Sequence, residues 1–142
     1  MTKKIITGCT GILGEALVKR FLAEAGDDIY LVGRARTGHS FKDRVAEIFG
    51  NYLDKRVRAF EGSILGDNFG ISSTDLRELD YIDEVWHLVA STDLSADWEK
   101  ARSINLVATQ KAIDFAKSRS SKLFYVSTAY VAGRREGVAK EE

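Results

Sequence analysis

The chain has 142 residues, of which 44% are hydrophobic, with one cysteine and a formal net charge of zero. Its length predicts about one domain, and its hydrophobic share suffices for a folded core. Zero net charge argues against a nucleic-acid binder, which needs a basic surplus, and one cysteine excludes a disulfide framework and a cysteine-rich zinc site. No stretch approaches the ~18 uncharged apolar residues of a membrane span. We therefore expect a cytoplasmic protein without a membrane partner.

Short apolar runs alternate with helical stretches along the chain. The runs predict strands at Lys3–Thr7, Asp28–Gly33, Arg56–Phe60, Glu84–Ala90 and Lys122–Thr128. Helical spacing predicts helices at Ile12–Ala25, Thr37–Tyr52 and Ala96–Lys117, with one or two helical turns at Thr74–Leu79. Strands of this kind predict a doubly wound α/β domain, a parallel sheet with strand order 3-2-1-4-5 and helices on both faces.

The longest predicted helix has one apolar face. Its members step by three or four residues: Trp98, Ala101, Asn105, Ala108, Ala112 and Phe115. Asn105 is the polar residue on that face, and it therefore needs hydrogen-bond partners.

A glycine-rich segment, Thr7-Gly8-Cys9-Thr10-Gly11-Ile12-Leu13-Gly14, joins the first strand to the first helix. Glycines let the backbone turn tightly and let a diphosphate approach closely. The helix that follows presents unpaired N–H groups and the positive end of its dipole to phosphate charge. Because the segment opens a βαβ unit, it predicts a nucleotide-binding loop rather than a merely structural turn.

With its T-G-x-x-G-x-x-G spacing, this loop resembles the extended short-chain dehydrogenase/reductase family. Four further segments match that family in order, namely LVGRAR, EGSI, HLVAST and LFYVSTAYVAG. FGISSTDLREL and WEKARSINLVATQKAIDFA are similar to its thioester reductase and fatty-acyl reductase branch, the male-sterility type. The resemblance implies a Rossmann NAD(P)-binding domain over residues 1–142. It places cofactor contacts at Gly8, Thr10, Gly11, Ile12, Leu13, Gly14, Ser63, Ile64, Leu88, Val89 and Ala90.

The end of the second strand indicates which dinucleotide binds. An acid about 20 residues past the glycines accepts the ribose hydroxyls of NAD, whereas an arginine accommodates the 2′-phosphate of NADP. Arg34 stands there, while Asp27 and Asp28 precede the strand at its wrong end. We therefore predict NADP. The resemblance adds Arg44 as a second contact, and we interpret Arg36 as a solvated surface residue.

Ser63 departs from the family, which usually has an aspartate at this position to meet the adenine amino group. A serine hydroxyl can still form a hydrogen bond there, although a weaker one than a carboxylate. The departure predicts a lower cofactor affinity without removing the site.

By resemblance, the fifth strand is followed by the hydroxyl that donates to the substrate carbonyl. Alignment assigns this role to Thr128, with Ser127 as the fallback, and an ordinary strand-ending Ser-Thr pair is the alternative interpretation. The family's proton donor is a tyrosine with a lysine four residues on, and no tyrosine here has that neighbour. Tyr130 is interpreted as packing or pocket wall. We expect the pair to lie beyond residue 142, and the chain alone to be inactive.

The remaining candidates favour structural roles. Cys9 is predicted to be a small residue beside phosphates rather than a nucleophile, and His87 to be packed in the core. The chain's two histidines predict no metal site. Asn105 resembles the family's asparagine that bridges backbone and an active-site water relay, and structural bracing is the equal interpretation.

These residues and the resemblance together predict the NADP-binding portion of a reductase. The resemblance implies that the enzyme transfers hydride from NADPH to a carbonyl, that of a carrier- or CoA-bound acyl thioester. Its partner would be a small-molecule or carrier-bound acyl substrate. One alternative is a nucleotide-sugar epimerase or dehydratase, and another is a non-catalytic redox sensor that binds NADP. Extended reductases often pair through the helices flanking strand five, so a homodimer is a candidate assembly.

Overall fold

The computed structural model describes residues 1–24, 26–50, 53, 55–79, 81–93, 95–128 and 132–140. Five parallel strands form one sheet in the order β3-β2-β1-β4-β5, which confirms the predicted topology. The strands are β1 (Lys3–Thr7), β2 (Asp28–Gly33), β3 (Val57–Glu61), β4 (Glu84–His87) and β5 (Lys122–Tyr125). The strand order reverses between β1 and β4, and the carboxyl ends of the strands border a crevice at such a reversal.

Helices connect the strands. They are α1 (Ile12–Ala23), α2 (Phe41–Phe49), α3 (Ser73–Arg77), α4 (Trp98–Arg102) and α5 (Ala108–Ser118), with a 3₁₀ turn at Asp67–Gly70. A π-helical segment, Ser103–Val107, joins α4 to α5 without a break. No helix in the described part of the chain is long and apolar enough to cross a membrane.

Each face of the sheet has its own hydrophobic core. Because neighbouring side chains of a strand point to opposite faces, Ile5 and Ile6 of β1 belong to different cores. The Ile6 side packs under α1 and α2, with Val18, Leu22, Phe41, Val45 and Phe49 buried. The Ile5 side packs against α5 and the 3₁₀ turn, with Phe69, Ala112, Phe115 and Ala116 buried. The prediction of helices on both faces is confirmed.

Two strands end earlier than predicted. β4 ends at His87 rather than Ala90, and β5 ends at Tyr125 rather than Thr128. The Val126 N–H still donates to the His87 carbonyl, at 3.3 Å, and regular pairing stops there. The apolar run after β4 continues because Leu88, Val89 and Ala90 line the crevice rather than pair in the sheet. β3 begins and ends one residue later than predicted.

The helix ends also differ from the prediction. α1 ends at Ala23, and the predicted ends at Ala25 and Tyr52 lie outside the described residues. α2 begins at Phe41, four residues after Thr37. Its start is set by a capping box, in which the Ser40 hydroxyl accepts from the Asp43 N–H at 3.1 Å and the Asp43 carboxylate accepts from the Ser40 N–H.

The predicted apolar face of the last helix holds only in its second half. Ala108, Ala112 and Phe115 are buried, whereas Trp98 is 74% exposed and Asn105 is exposed. The π-helical segment is the reason, since its wider turn rotates everything before it relative to α5. The prediction that Trp98 and Asn105 share the buried face is therefore wrong.

Candidate functional site

A cavity of about 550 Å³ opens at the carboxyl edge of the sheet. It lies where the strand order reverses, next to the glycine loop between β1 and α1. Its wall contains most of the residues that the sequence assigns to the cofactor: Gly8, Thr10, Gly11, Arg34, Arg44, Ser63, Ile64, Leu88, Val89 and Ala90. The structure thus brings five separate segments of the chain together around one space.

Two glycines of the loop, Gly8 and Gly14, leave no room for a side chain. Gly8 has φ +79°, and a Cβ there would lie 2.8 Å from the carbonyl carbon of Leu88. A Cβ on Gly14 would overlap the carbonyl oxygen of Gly8. The Gly11 N–H donates to the same oxygen at 3.1 Å and closes the turn. Gly8 and Gly14 are therefore required by close backbone packing of the loop against β4 and α1.

The first turn of α1 points its free N–H groups at the loop. Its cap residue, Gly11, has no side chain to accept from them, so the first-turn donors are left for another acceptor. The side chains of Ile12 and Leu13 are 96% and 55% exposed and do not line the cavity. A contact from Ile12 or Leu13 would have to come from the backbone, and it stays a prediction.

Two arginines lie side by side at the end of β2. The Arg44 guanidinium donates to the Arg34 carbonyl at 3.1 Å and to the Thr10 hydroxyl at 2.9 Å. This pair of bonds ties α2 both to the strand end and to the glycine loop. Arg36 also lines the cavity and is exposed, so its interpretation as a solvated surface residue stays a prediction.

Asp27 and Asp28, which flank the start of β2, lie at the other edge of the sheet. Asp27 forms an ion pair with Lys4 at 3.1 Å, and Asp28 is in register with Lys3 at the amino end of β1. Glu61, at the end of β3, accepts from the N–H of Phe41 at 3.2 Å and so holds the start of α2. In the described part of the chain, the β2 end of the cavity is lined by cationic rather than acidic side chains.

Ser63 and Ile64 form the wall beyond β3. The Ser63 N–H donates to the Phe69 carbonyl at 2.7 Å, which anchors this wall to the 3₁₀ turn. Phe69 is fully buried against Phe115, with ring centroids 4.7 Å apart. The wall is therefore supported from below by α5.

Cys9 and His87 are both buried close to the loop. Burial raises the pKa of the Cys9 thiol to about 12, although the charge of Arg44 opposes this. The thiol therefore stays protonated and is a poor nucleophile. His87 packs in the core, where its Nδ1 lies 2.8 Å from the Thr7 hydroxyl, and burial lowers the pKa of its ring to about 4. The core position predicted for His87 is confirmed, while a position beside phosphates stays a prediction for Cys9.

Asn105 braces the segment that follows β4. Its side-chain oxygen accepts from the Ser91 N–H at 2.7 Å, and its amide donates to the Ser91 carbonyl at 3.2 Å. Both bonds reach across from the π-helical segment. The backbone bridge expected by resemblance is present, and it holds the chain just beyond Leu88, Val89 and Ala90.

Ser127 and Thr128 follow β5 at the same edge as the cavity. Both are exposed, and neither belongs to the cavity wall. Tyr130 lies outside the described residues. Catalytic roles for Thr128 and Ser127 stay predictions.

The sequence reasoning missed several wall residues, among them Lys100, Ser103 and Ile104. These three belong to the α4 and π-helical stretch. Their spacing of three and four residues is a helical one, and this is the signal that could have found them. Reading the helix for its apolar face alone hid them.

A dinucleotide fits the residues around this cavity. The glycines of the loop let a diphosphate approach its backbone, and the first turn of α1 has N–H donors that no side chain of the cap accepts. Arg34 and Arg44 line the same cavity at the neighbouring strand, β2. Among the described residues, no group of three or more His, Cys, Asp or Glu side chains could hold a metal ion.

Residues 6–142 match the family model of the male sterility protein, an NAD-binding domain. The chain belongs to that family. It is an NAD(P)-binding domain of the extended short-chain reductase type, as the resemblance predicted.

Curated relatives match nearly the whole chain. Fatty acyl-CoA reductase 8 of Arabidopsis thaliana is 26% identical over 162 residues, which cover 97% of this chain and 33% of the relative. The nonribosomal peptide synthetase asaC of Aspergillus flavus is 30% identical over 141 residues, which cover 92% of this chain and 14% of the relative. The chain thus spans a third or less of the relatives' length.

Solved structures share the fold. The terminal R domain of the myxalamid PKS-NRPS pathway superposes with a TM-score of 0.79 at 24% identity, covering 100% of this chain and 39% of that domain. The UDP-glucuronic acid 4-epimerase of Bacillus cereus, solved with NAD, superposes with a TM-score of 0.73 at 22% identity, covering 97% of this chain and 44% of the epimerase.

Proposed function

We propose that this chain is the NADP-binding portion of a reductase that transfers hydride to the carbonyl of a carrier- or CoA-bound acyl thioester. The family match supports the reductase, and one relative described above is named a fatty acyl-CoA reductase. The choice of thioester follows from that name, because an acyl-CoA is a thioester, and a carrier-bound acyl group is a thioester as well.

The observation that carries the NADP assignment is the arginine pair at the end of β2. Arg44 bonds to both the Arg34 carbonyl and the Thr10 hydroxyl, so its guanidinium is held between the strand end and the glycine loop. Guanidinium groups bind phosphate through charge-assisted hydrogen bonds. Asp27 and Asp28, which could bind ribose hydroxyls, stand at the opposite edge.

NADPH, when bound, supplies the hydride. The chain's own part is to hold the diphosphate at the glycine loop and to place a hydroxyl, that of Thr128 or Ser127, at the end of β5. A hydroxyl that donates to the thioester oxygen stabilises the negative charge that grows there as hydride arrives. The segment braced by Asn105 borders the same crevice.

Two other functions compete with this one. An epimerase on the same fold would retain NAD and act on nucleotide sugars, and the epimerase superposition is the observation that favours it. A redox sensor would bind NADP without turnover. The family match and the basic end of β2 support the reductase over the epimerase.

The test is an activity assay on the protein expressed from its full coding sequence. With NADPH and a long-chain acyl-CoA, we expect NADPH oxidation with formation of aldehyde or alcohol, and a loss of turnover in Thr128→Ala without loss of NADPH affinity. Interconversion of UDP-sugars with no acyl-CoA reduction would establish the epimerase. NADPH binding with neither reaction would establish the sensor.

A further inference from the structure

The part of the cavity wall that comes from α4 and the π-helical segment carries one charged side chain, among the residues that the structure describes. Of the three wall residues from this helical stretch, Ile104 is apolar, and the Ser103 hydroxyl donates to the Lys100 carbonyl at 2.9 Å. Lys100 therefore supplies the only charge that this wall presents.

The Lys100 ammonium forms only a long ion pair within the protein. Its partner carboxylate, Asp93, lies 3.6 Å away, and both side chains are about half exposed, at 54% and 47%. That distance exceeds a charge-assisted hydrogen bond, which measures ~2.7–2.9 Å. Asp93 is itself bound at 2.6 Å by the Ser95 hydroxyl. The ammonium thus retains donors for another anion.

The backbone of Lys100, by contrast, is fixed. Its N–H donates to the Asp97 carboxylate at 2.8 Å, which caps α4, and the segment after β4 is bridged by Asn105. The helix therefore fixes the Cα of Lys100 beside the cavity, while the ammonium at the end of the side chain can exchange one anionic partner for another.

The glycine loop itself has no charged side chain. Thr7 to Gly14 carry no charge, and the nearest charged residue of α1, Glu15, is bound to Lys19 at 2.6 Å. Arg44 approaches the loop from the β2 side. A diphosphate carries two negative charges, and helix N–H groups supply only partial positive charge.

We infer that Lys100 is a phosphate-binding residue of this cavity, whose ammonium leaves Asp93 and contacts the dinucleotide diphosphate. The inference rests on the proposed function in one respect, namely that a dinucleotide binds in this cavity. It assigns Lys100 to the diphosphate common to both dinucleotides, whereas Arg34 is assigned to the 2′-phosphate of one of them.

The test is equilibrium titration of the chain with NADPH, NADH, ADP-ribose and 2′-AMP, for the wild type and for Lys100→Gln. Loss of one charge-assisted bond should weaken the three diphosphate ligands alike, by about tenfold. Binding of 2′-AMP, which has no diphosphate, should not change. The loss should shrink at high salt, because ions screen a half-exposed charge.

Two further variants separate contact from positioning. Lys100→Arg keeps the charge and should restore most of the affinity. Asp93→Asn removes the competing carboxylate and should leave affinity unchanged or raise it. If the Lys100–Asp93 pair only braced the segment, Asp93→Asn and Lys100→Gln would weaken binding equally. Lys117→Gln, on the exposed side of α5, is the matched control.

Unchanged affinity for NADH and ADP-ribose in Lys100→Gln would overturn the inference, as would equal losses in Lys100→Gln and Asp93→Asn. The proposed function fails by a different result, namely equal binding of NADPH and NADH by the wild type. Failure of all four ligands to bind the wild type would overturn both.

Discussion

Strands β1 and β5 lie in the same sheet but are covered very differently. Residues 4–7 of β1 are all buried, whereas none of the four residues of β5 is. Phe124 and Tyr125 of β5 remain 36% and 45% exposed, so the helices on the two faces of the sheet leave this edge strand partly uncovered. The cofactor side of the crevice is thus rigidly built, while the side that bears Thr128 is supported on one flank only.

The first way to break this comparison is to truncate a buried phenylalanine, Phe60 of β3, and the partly exposed Phe124 of β5. Phe60 is 5% exposed, and Phe60→Ala should lower the free energy of unfolding by about 3–5 kcal/mol because it leaves a cavity in the core. Phe124→Ala should cost about 1–2 kcal/mol, because its main partner is the stacked Trp86 ring at 4.1 Å. Urea denaturation measures both, and equal costs would show that β5 is as well covered as β3.

The second prediction concerns pH and the buried end of β4. Burial lowers the pKa of His87 to about 4, below its value of 6.5 in the unfolded chain. The unfolded state therefore binds the extra proton first, and stability falls as the pH falls through that window, by about 3 kcal/mol in total. Denaturation at several pH values should show this loss in the wild type and in His39→Gln, but not in His87→Gln. An unchanged pH dependence in His87→Gln would contradict it.

The third prediction isolates close packing at the glycine loop. Gly8 and Gly38 have nearly the same φ, +79° and +81°, but only Gly8 has atoms within reach of a new Cβ. Both alanine variants bear the backbone strain, about 1–2 kcal/mol. Gly8→Ala should lose about 1–3 kcal/mol more, and it should also lose dinucleotide binding. Calorimetry and titration of the pair measure this, and matching results at the two sites would refute the packing argument.

The smallest expected effect is at the brace behind β4. Asn105→Ala removes two hydrogen bonds to Ser91 and should cost about 1 kcal/mol. Gln110→Ala, which removes a bond to Asp114 within one helix, should cost a few tenths, about 0.3 kcal/mol. Hydrogen exchange of residues 88–93 should rise only in Asn105→Ala. Exchange that rises equally in both variants would mean that Asn105 does not brace this segment.

The strands and their order followed from local physics. A buried parallel strand is an apolar run of a few residues, and a glycine loop such as Thr7–Gly14 joins the first strand of a βαβ unit to its helix. Each signal lies within a short stretch of the chain, so it can be recognised from the sequence alone. The starting points of β1 and β2 were predicted correctly for that reason.

The features that were missed depend on contacts between distant segments. The π-helical segment at Ser103–Val107 has no marker in composition, and it decides which residues of that helix reach the cavity. The bond from Arg44 to Thr10 joins residues 34 positions apart. From the sequence alone Lys100 is interpreted as a solvated charge, and only the fold brings it into the wall of the same cavity as the glycine loop.

The central claim is that the basic end of β2 selects NADP, and one titration series tests it most directly. NADPH and NADH are titrated into the wild type, Arg34→Asp and the control Arg77→Asp, whose side chain lies outside the cavity wall. The wild type and the control should prefer NADPH by about tenfold or more. Arg34→Asp should lose NADPH affinity far more than NADH affinity. Equal binding of the two cofactors by the wild type, or equal losses in Arg34→Asp, would contradict the account.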